Sequence, residues 1–452
     1  MYGMPLSQSL VFLASVVFLF VATQWRRVHP FLVIVVIAAA FGYIAGFPTA
    51  QLGSDFGNGF AEKAYSPGLV IVAAGLIAGL AESTAATDWL MAKIDRWQRF
   101  GSNRIAGILG LIAGLGASPA VAFALLTPLL PALGGASPPR RQSATVALAL
   151  AISASHGLLP TPVSIAAVAI LGADWHRVAL LGLPLAIFLA GFGAAFARWP
   201  SLGGAASQAP AAEPQTSAEK RTGGSAIGLL LAIAVPLLLL MVQSLGDIPS
   251  EPLGGGPTRE LILGVGRPLI LFLVGVGIMI IAHPRQGLGL VADPSWTGRV
   301  LGGISSTLLI VCAAGGLQRL CQQTGMAEML GERLLDWPIG RFGVLIPFVI
   351  AAAMKTLQGS SLVAAITTAG MVQPILLPLG LSDADGRALA ALAVGIGAMT
   401  MSHINDEYFW LVTQSAGFTP LRGFATVSVG TLLQGLFAAA VLLLLSVLIS
   451  YA

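Results

Sequence analysis

Residues 399–412 read MTMSHINDEYFWLV, and they set a histidine, an asparagine, an aspartate and a glutamate inside an otherwise apolar stretch. Only 9% of the 452 residues are charged, against roughly 25% in a typical soluble domain. Four polar groups together in such a surrounding carry a heavy desolvation cost and ask for a functional reason.

The composition around the motif fixes the environment. Hydrophobic residues make up 56% of the chain, and the mean hydropathy is +0.87. Nearly uncharged stretches near 6–23, 227–245 and 426–449 are each long enough to cross a hydrocarbon core about 30 Å thick. The fold class expected is an all-α polytopic membrane protein. The first apolar segment has no basic region before it and no small-residue cleavage site after it, so it reads as a retained helix. The net charge of +4 sits mostly in short loops and bears on orientation in the bilayer, not on nucleic acid. Cys312 and Cys321 are the two cysteines, and two thiols alone read as inert instead of as a metal site or disulfide framework.

Hydropathy predicts helices near 6–23, 31–46, 67–81, 178–197, 226–245, 269–283, 299–316 and 424–449. Four further apolar stretches, 105–136, 144–171, 343–379 and 389–414, are interrupted by Gly, Pro, Ser or charged residues. Residues 200–224, PSLGGAASQAPAAEPQTSAEKRTGG, are small, polar and aperiodic, the composition of a flexible linker. The organisation expected is a first half over 1–197, a cytoplasmic linker over 198–224 and a second half over 225–452. Scaffold helices fall in 1–81 and 226–316, hairpins with broken helices in 105–171 and 343–414, and a last helix in 424–449.

The halves resemble one another. GASPAVAFALLTPLLPALG followed by ALAISASHGLLPTP matches QGSSLVAAITTAGMVQPILLPLG followed by GIGAMTMSHINDEYFW in the order of its breaks. A matched pair of Gly/Pro-interrupted apolar segments points to a transporter site at a repeat interface. With the N-terminus outside and two re-entrant hairpins, 14 of the 23 Lys and Arg residues fall in the cytoplasm and 8 outside, Lys63 among the latter, with Lys355 left in the membrane. That bias follows the positive-inside rule and sends the hairpins in from opposite faces, as an inverted repeat requires.

Non-helical backbone at membrane depth must be buried in protein or line a watery cavity. The N–H groups freed where a helix restarts carry partial positive charge and can hold a carboxylate. The candidate breaks are Gly116-Ala117-Ser118-Pro119, Ser155-His156-Gly157 with Pro160 and Pro162, Gly359-Ser360-Ser361, and Ser402-His403-Ile404-Asn405-Asp406. Converging on one cavity, they would offer a small anion the donors of Ser118, Ser155, His156, Gly359, Ser360, Ser361, Ser402, His403 and Asn405. Plainer readings exist for each. Serines in apolar helices bond to their own backbone, histidines serve as glue between helices, and Asp406 is neutralised by a cation such as Lys355. Glu407 lies at the edge of the break.

SHINDEYFWL resembles the Ser-His-Val-Asn-Asp-x-x-Phe-Trp motif of the gluconate permease (GntP) family of proton symporters. SASHGLLPTP is similar to that family's Ser-x-x-His-Gly-Phe-Leu-Pro-Pro break, and LQGSSLVAAITTAG to its Leu-Gly-Ser-Ala-Thr-Val-Ala-Ala-Ile-Thr hairpin. The resemblance runs in order from about residue 70 to the C-terminus. It implies an importer of aldonic or related hydroxy and amino acids in a bacterial inner membrane. It also implies the two inverted repeats of the ion transporter superfamily, a homodimer and an elevator motion. Two departures stand out: Ala120 falls where the family commonly carries a hairpin glutamate, and Pro160-Thr161-Pro162 lacks a second family histidine.

The function expected is therefore import of a small organic acid by proton symport, with no bound cofactor or metal. Asn405 can donate to and accept from a polyol hydroxyl. His403 and His156 titrate near neutral pH when unperturbed, and Asp406 could carry the coupled proton where burial favours the neutral acid. A sodium-coupled carboxylate carrier stays open, since broken helices coordinate Na⁺ as well. An intramembrane hydrolase fits less well, because both Ser-His pairs are adjacent in sequence and no Gly-x-Ser-x-Gly or His-Glu-x-x-His motif accompanies them. A passive channel would lack saturable counterflow.

Overall fold

Proline and short polar caps start most of the helices. In the computed structural model, prolines open α1 (Pro30–Ile44), α5 (Pro119–Leu126), α6 (Pro138–Leu158), α7 (Pro162–Leu171), α10 (Pro268–Ala282) and α11 (Pro294–Gln323). A proline at the first helical position loses no hydrogen bond, because that N–H has no partner within the helix anyway. The remaining principal helices are α2 (Thr49–Tyr65), α3 (Gly68–Ser83), α4 (Ser102–Ala113), α8 (Trp175–Phe196) and α9 (Ala226–Asp247). The second half adds α12 (Leu345–Gln358), α13 (Ser361–Val372), α14 (Ala384–Met399), α15 (Glu407–Ser415) and α16 (Val429–Ser450). The structure describes residues 28–84, 101–115, 118–135, 137–199, 226–248, 251–325 and 342–450, with some positions of 14–23 and 86–90. Most of the expected helix 6–23, all of 200–224 and Gly116-Ala117 of the first break lie outside the described residues.

Among the described residues, six helical segments of 21 to 35 residues are long and apolar enough to cross a membrane. Pro257–Val265 and Pro268–Ala282, bent by 59°, make a seventh if taken as one span. Large apolar side chains stay exposed along α8, such as Leu180 and Ile187, and along α16, such as Leu436 and Leu444. In a bilayer such faces meet lipid.

Two helix groups face each other. α2 and α1 pack along α11, and α3 packs on both α10 and α11, with α9 beside α10. In the other group α4 and α8 flank α6, α12 packs on α13 and α14, and α7 touches both α13 and α14. Glycine sets the spacing where α6 and α14 meet: a Cβ on Gly395 would strike the carbonyl oxygen of Gly157. The short helices α5 and α15 lie between the groups, α5 against α3 and α6, α15 against α11 and α5. Tyr408 of α15 donates its hydroxyl to Ala149 O of α6 at 2.7 Å, which satisfies a buried phenol.

Three expectations need correcting. Residues 49–65, assigned to no helix by hydropathy, form α2, whose Gly, Asp, Asn and Glu residues hide the pattern. Its packed stripe, the partly buried Phe56 with buried Gly59 and Lys63, has helical spacing and meets Gly315 and Gly316 of α11 closely enough that no Cβ fits between. Lys63, counted above as a loop cation, is therefore a buried helix residue. The first-half break also falls later than expected. α6 continues through Ser155, His156 and Gly157 to Leu158, with Leu159 N still donating to Ser155 O at 2.9 Å. The helix is interrupted only at the two prolines, 160 and 162, which lack N–H donors, and Pro138–Leu171 still forms one membrane-spanning segment.

Candidate functional site

The second-half break comes where hydropathy located it. α14 stops at Met399, residues 400–406 are non-helical, and α15 starts at Glu407. Met401 holds φ at +59°, a left-handed conformation that costs a side-chain-bearing residue about 1–2 kcal/mol. The surrounding bonds hold it there. Ser402 N donates to Thr431 Oγ1 at 3.1 Å, Ser428 Oγ donates to Ser402 O at 2.5 Å, and Trp410 Nε1 donates to Ile404 O at 2.7 Å.

The hairpin break at Gly359-Ser360 presses against this segment. Gly359 has φ +76°, and a Cβ on it would land on Asn405 O. Positive φ and the missing side chain are thus both required there. Asn405 Nδ2 donates to Thr356 O at 3.1 Å and Leu357 O at 3.2 Å. It thereby satisfies carbonyls that the end of α12 leaves open.

A cavity of about 330 Å³ opens between the two helix groups, within the size range of small-molecule sites. Four helices begin on its wall: α5 at Ser118-Pro119, α7 at Pro162, α13 at Ser360-Ser361, and α15 at Asp406-Glu407. Each has a capping side chain. Ser118 Oγ accepts from Val121 N at 3.4 Å, Ser360 Oγ from Val363 N at 3.3 Å, Thr161 Oγ1 from Ser164 N at 3.5 Å, and Asp406 Oδ1 from Tyr408 N at 3.0 Å. Convergent N-termini bias the cavity towards an anion.

Two ion pairs share the wall. Lys355 Nζ lies 2.6 Å from Asp406 Oδ2, both side chains being 4% exposed. It also donates to Gly359 O at 2.7 Å, while Ser402 Oγ reaches the same Asp406 oxygen at 2.5 Å. The lysine thus ties the hairpin break to the helix break, the neutralisation that the sequence left open for Asp406. The second pair joins Lys63 Nζ to Glu407 Oε1 at 3.4 Å, with Glu62 Oε1 at 3.2 Å from the same ammonium.

Of the residues expected at a site, Ser118, His156, Gly359, Ser360, Ser361, Ser402 and Asp406 line this cavity. Ser155, His403 and Asn405 do not. Ser155 turns away to donate to Leu111 O of α4 at 3.0 Å. His403 is buried at the level of the break, and the Asn405 amide is spent on α12. Sequence reasoning missed Glu62 and Lys63, which also line the cavity. The signal was the spacing of Phe56, Gly59 and Lys63 within α2.

A multi-pass bundle of apolar helices, two of them broken around a buried polar cavity, defines the class as a membrane transporter. The chain belongs to the GntP permease family: the GntP family permease profile matches residues 6–448. It is 26% identical to a gluconate permease of Pseudomonas aeruginosa over 94% of this chain and 95% of that one. It is 29% identical to a gluconate permease of Zymomonas mobilis, again over 94% and 95% of the two chains. A D-serine transporter of Escherichia coli O6:H1 is 23% identical over 97% of this chain and 98% of its own. Members are permeases and not enzymes, which sets the hydrolase reading aside.

Proposed function

We propose that this permease imports a small organic acid, a gluconate-like sugar acid or a related hydroxy or amino acid, by proton symport across a bacterial inner membrane. The observation that carries the reading is the cavity with its four helix N-termini and cap serines. The substrate carboxylate sits at the starts of α5 and α13, held by Ser118, Ser360 and Ser361, and its hydroxyls face His156 and Ser402. The gluconate and D-serine relatives support a carboxylate beside hydroxyl or amino groups. Three donors already engage Asp406, which supports an anchoring role for it over proton transfer.

The order of elements supports an inverted repeat. α4, α5, α6, α7 and α8 follow the same succession of helix, break, short helix, longer helix, break, short helix and last long helix as α12 to α16. In this reading α1–α3 and α9–α11 form a scaffold against which the other group moves as an elevator, in a homodimer with the 198–224 linker in the cytoplasm.

Purified protein in proteoliposomes tests the function. An inside-alkaline gradient should drive accumulation of D-gluconate or D-serine, and unlabelled substrate should drive counterflow. Accumulation driven by sodium alone would overturn proton symport, and absence of saturable counterflow with any sugar acid, hydroxy acid or amino acid would overturn the transporter reading. Cysteines at Ser207 and Ser217 should resist an impermeant thiol reagent outside intact cells, and rapid labelling there would reverse the orientation.

A further inference from the structure

We propose that Glu407 is the proton-binding group of the cavity, with Lys63 as its counter-ion, and that its protonation makes room for the anionic substrate; this rests on the symport reading above.

The two carboxylates at the start of α15 are treated differently by their surroundings. Asp406 accepts from Lys355, Ser402 and the backbone N of Tyr408. Glu407 has one ion-pair contact, from Oε1 to Lys63 at 3.4 Å, and its Oε2 is buried with no hydrogen-bond partner. Its side chain is 16% exposed, so water does little to repair the loss. Lys63 is shared as well, because Glu62 stands slightly closer to it at 3.2 Å, with a side chain 64% exposed. A buried carboxylate oxygen without a donor is costly as an anion, and a proton on it removes that cost.

The charges on the wall point the same way. Glu62, Asp406 and Glu407 face Lys63 and Lys355, leaving one negative charge in excess. An entering carboxylate would add a second. One proton on Glu407 cancels the excess, so proton and anion each favour the other's binding, the reciprocity that coupling requires. The neutral acid also loosens the claim of Glu407 on Lys63, whose ammonium can then face the substrate carboxylate. The proton enters from the aqueous side to which the cavity opens, forms an O–H bond at Oε2, and leaves to water on the other side.

Other titratable groups around α15 are accounted for. Within the cavity, α2 presents Glu62, Lys63 and Tyr65, α6 presents His156, α12 presents Lys355, and the break and α15 itself add Asp406 and Tyr408. Among the elements packed on α15, α11 carries Arg299, Arg319 and both cysteines, α6 also carries Arg140 and Arg141, and Pro420–Gly423 carries Arg422, none of which lines the cavity; α5 carries no charge.

Two readouts on proteoliposomes test the proposal, with D-gluconate as the transport probe. Infrared titration should show a protonated-carboxyl band in the wild type that is lost in Glu407→Gln and returns, displaced, in Glu407→Asp. Glu407→Gln should also lose proton-driven accumulation while keeping counterflow, and Glu407→Asp should regain accumulation with a shifted pH profile. An infrared titration identical in wild type and Glu407→Gln overturns the site whatever the protein transports. Undiminished accumulation by Glu407→Gln overturns the coupling. If wild type itself fails to accumulate gluconate with protons while the band still vanishes in Glu407→Gln, the symport reading falls and Glu407 remains the proton site. A Glu407→Gln protein that does not fold leaves the decision to Glu407→Asp, whose unchanged band and pH profile would refute the assignment.

Discussion

Removing one member of the Lys355–Asp406 pair probes the joint between the two breaks. Both side chains are 4% exposed and their charged atoms are 2.6 Å apart. Asp406→Asn keeps the shape and can still accept from Tyr408 N, so the cap on α15 survives. What it removes is the charge opposite a buried ammonium. Breaking a buried pair in this way costs about 3–5 kcal/mol, a large share of a stability of about 5–15 kcal/mol. Lys355→Met should cost a similar amount, because it strands Asp406. The double variant strands neither charge. It loses only hydrogen bonds, such as that from Lys355 to Gly359 O, worth about 1 kcal/mol each. The double-mutant cycle should therefore give a coupling of at least ~3 kcal/mol. Equilibrium unfolding in mixed micelles, followed by circular dichroism and tryptophan fluorescence, measures all four corners. A double variant as unstable as the two single variants summed would refute the argument, as would an Asp406→Asn protein within ~0.5 kcal/mol of wild type.

Gly359→Ala should lose more than the ~1–2 kcal/mol of a positive-φ penalty alone, because its Cβ also meets Asn405 O; the same unfolding assay checks this, and a loss no greater than that penalty would contradict the close approach. Asn405→Ala removes two donors from the end of α12 and should cost about 1–3 kcal/mol of stability, while the affinity of the folded variant for D-gluconate in a binding titration stays at the wild-type value. Ser360→Ala deletes a helix cap worth about 0.5–2 kcal/mol and, in the proposed site, a substrate donor. Its apparent affinity for D-gluconate in counterflow should fall roughly 5- to 150-fold, and an unchanged affinity would remove Ser360 from the site.

Sequence alone determined the class of this protein and the positions where the helices of its second half break. Membrane character follows from composition, because lipid admits only apolar surface and satisfied backbone. The second-half break was legible at Ser402–Asp406 because several polar groups together in apolar sequence carry a heavy desolvation cost, and the Gly359-Ser360 turn because Gly and Ser punctuate helices. Tertiary structure decided which of these residues meet. Asp406 and Lys355 are 51 positions apart in sequence, and Lys63 and Glu407 lie in opposite halves, so no local pattern announces either pair. Asn405 and Ser155 looked like site residues until packing assigned their donors to Thr356, Leu357 and Leu111. α2 escaped notice because the face it packs is glycine, aromatic ring and lysine stem, built to fit Gly315 and Gly316 of α11. Hydropathy records how a residue partitions from water by itself. It cannot record that a lysine becomes a buried cavity residue once a distant glutamate neutralises it, since that free energy exists only between two segments brought together by the fold.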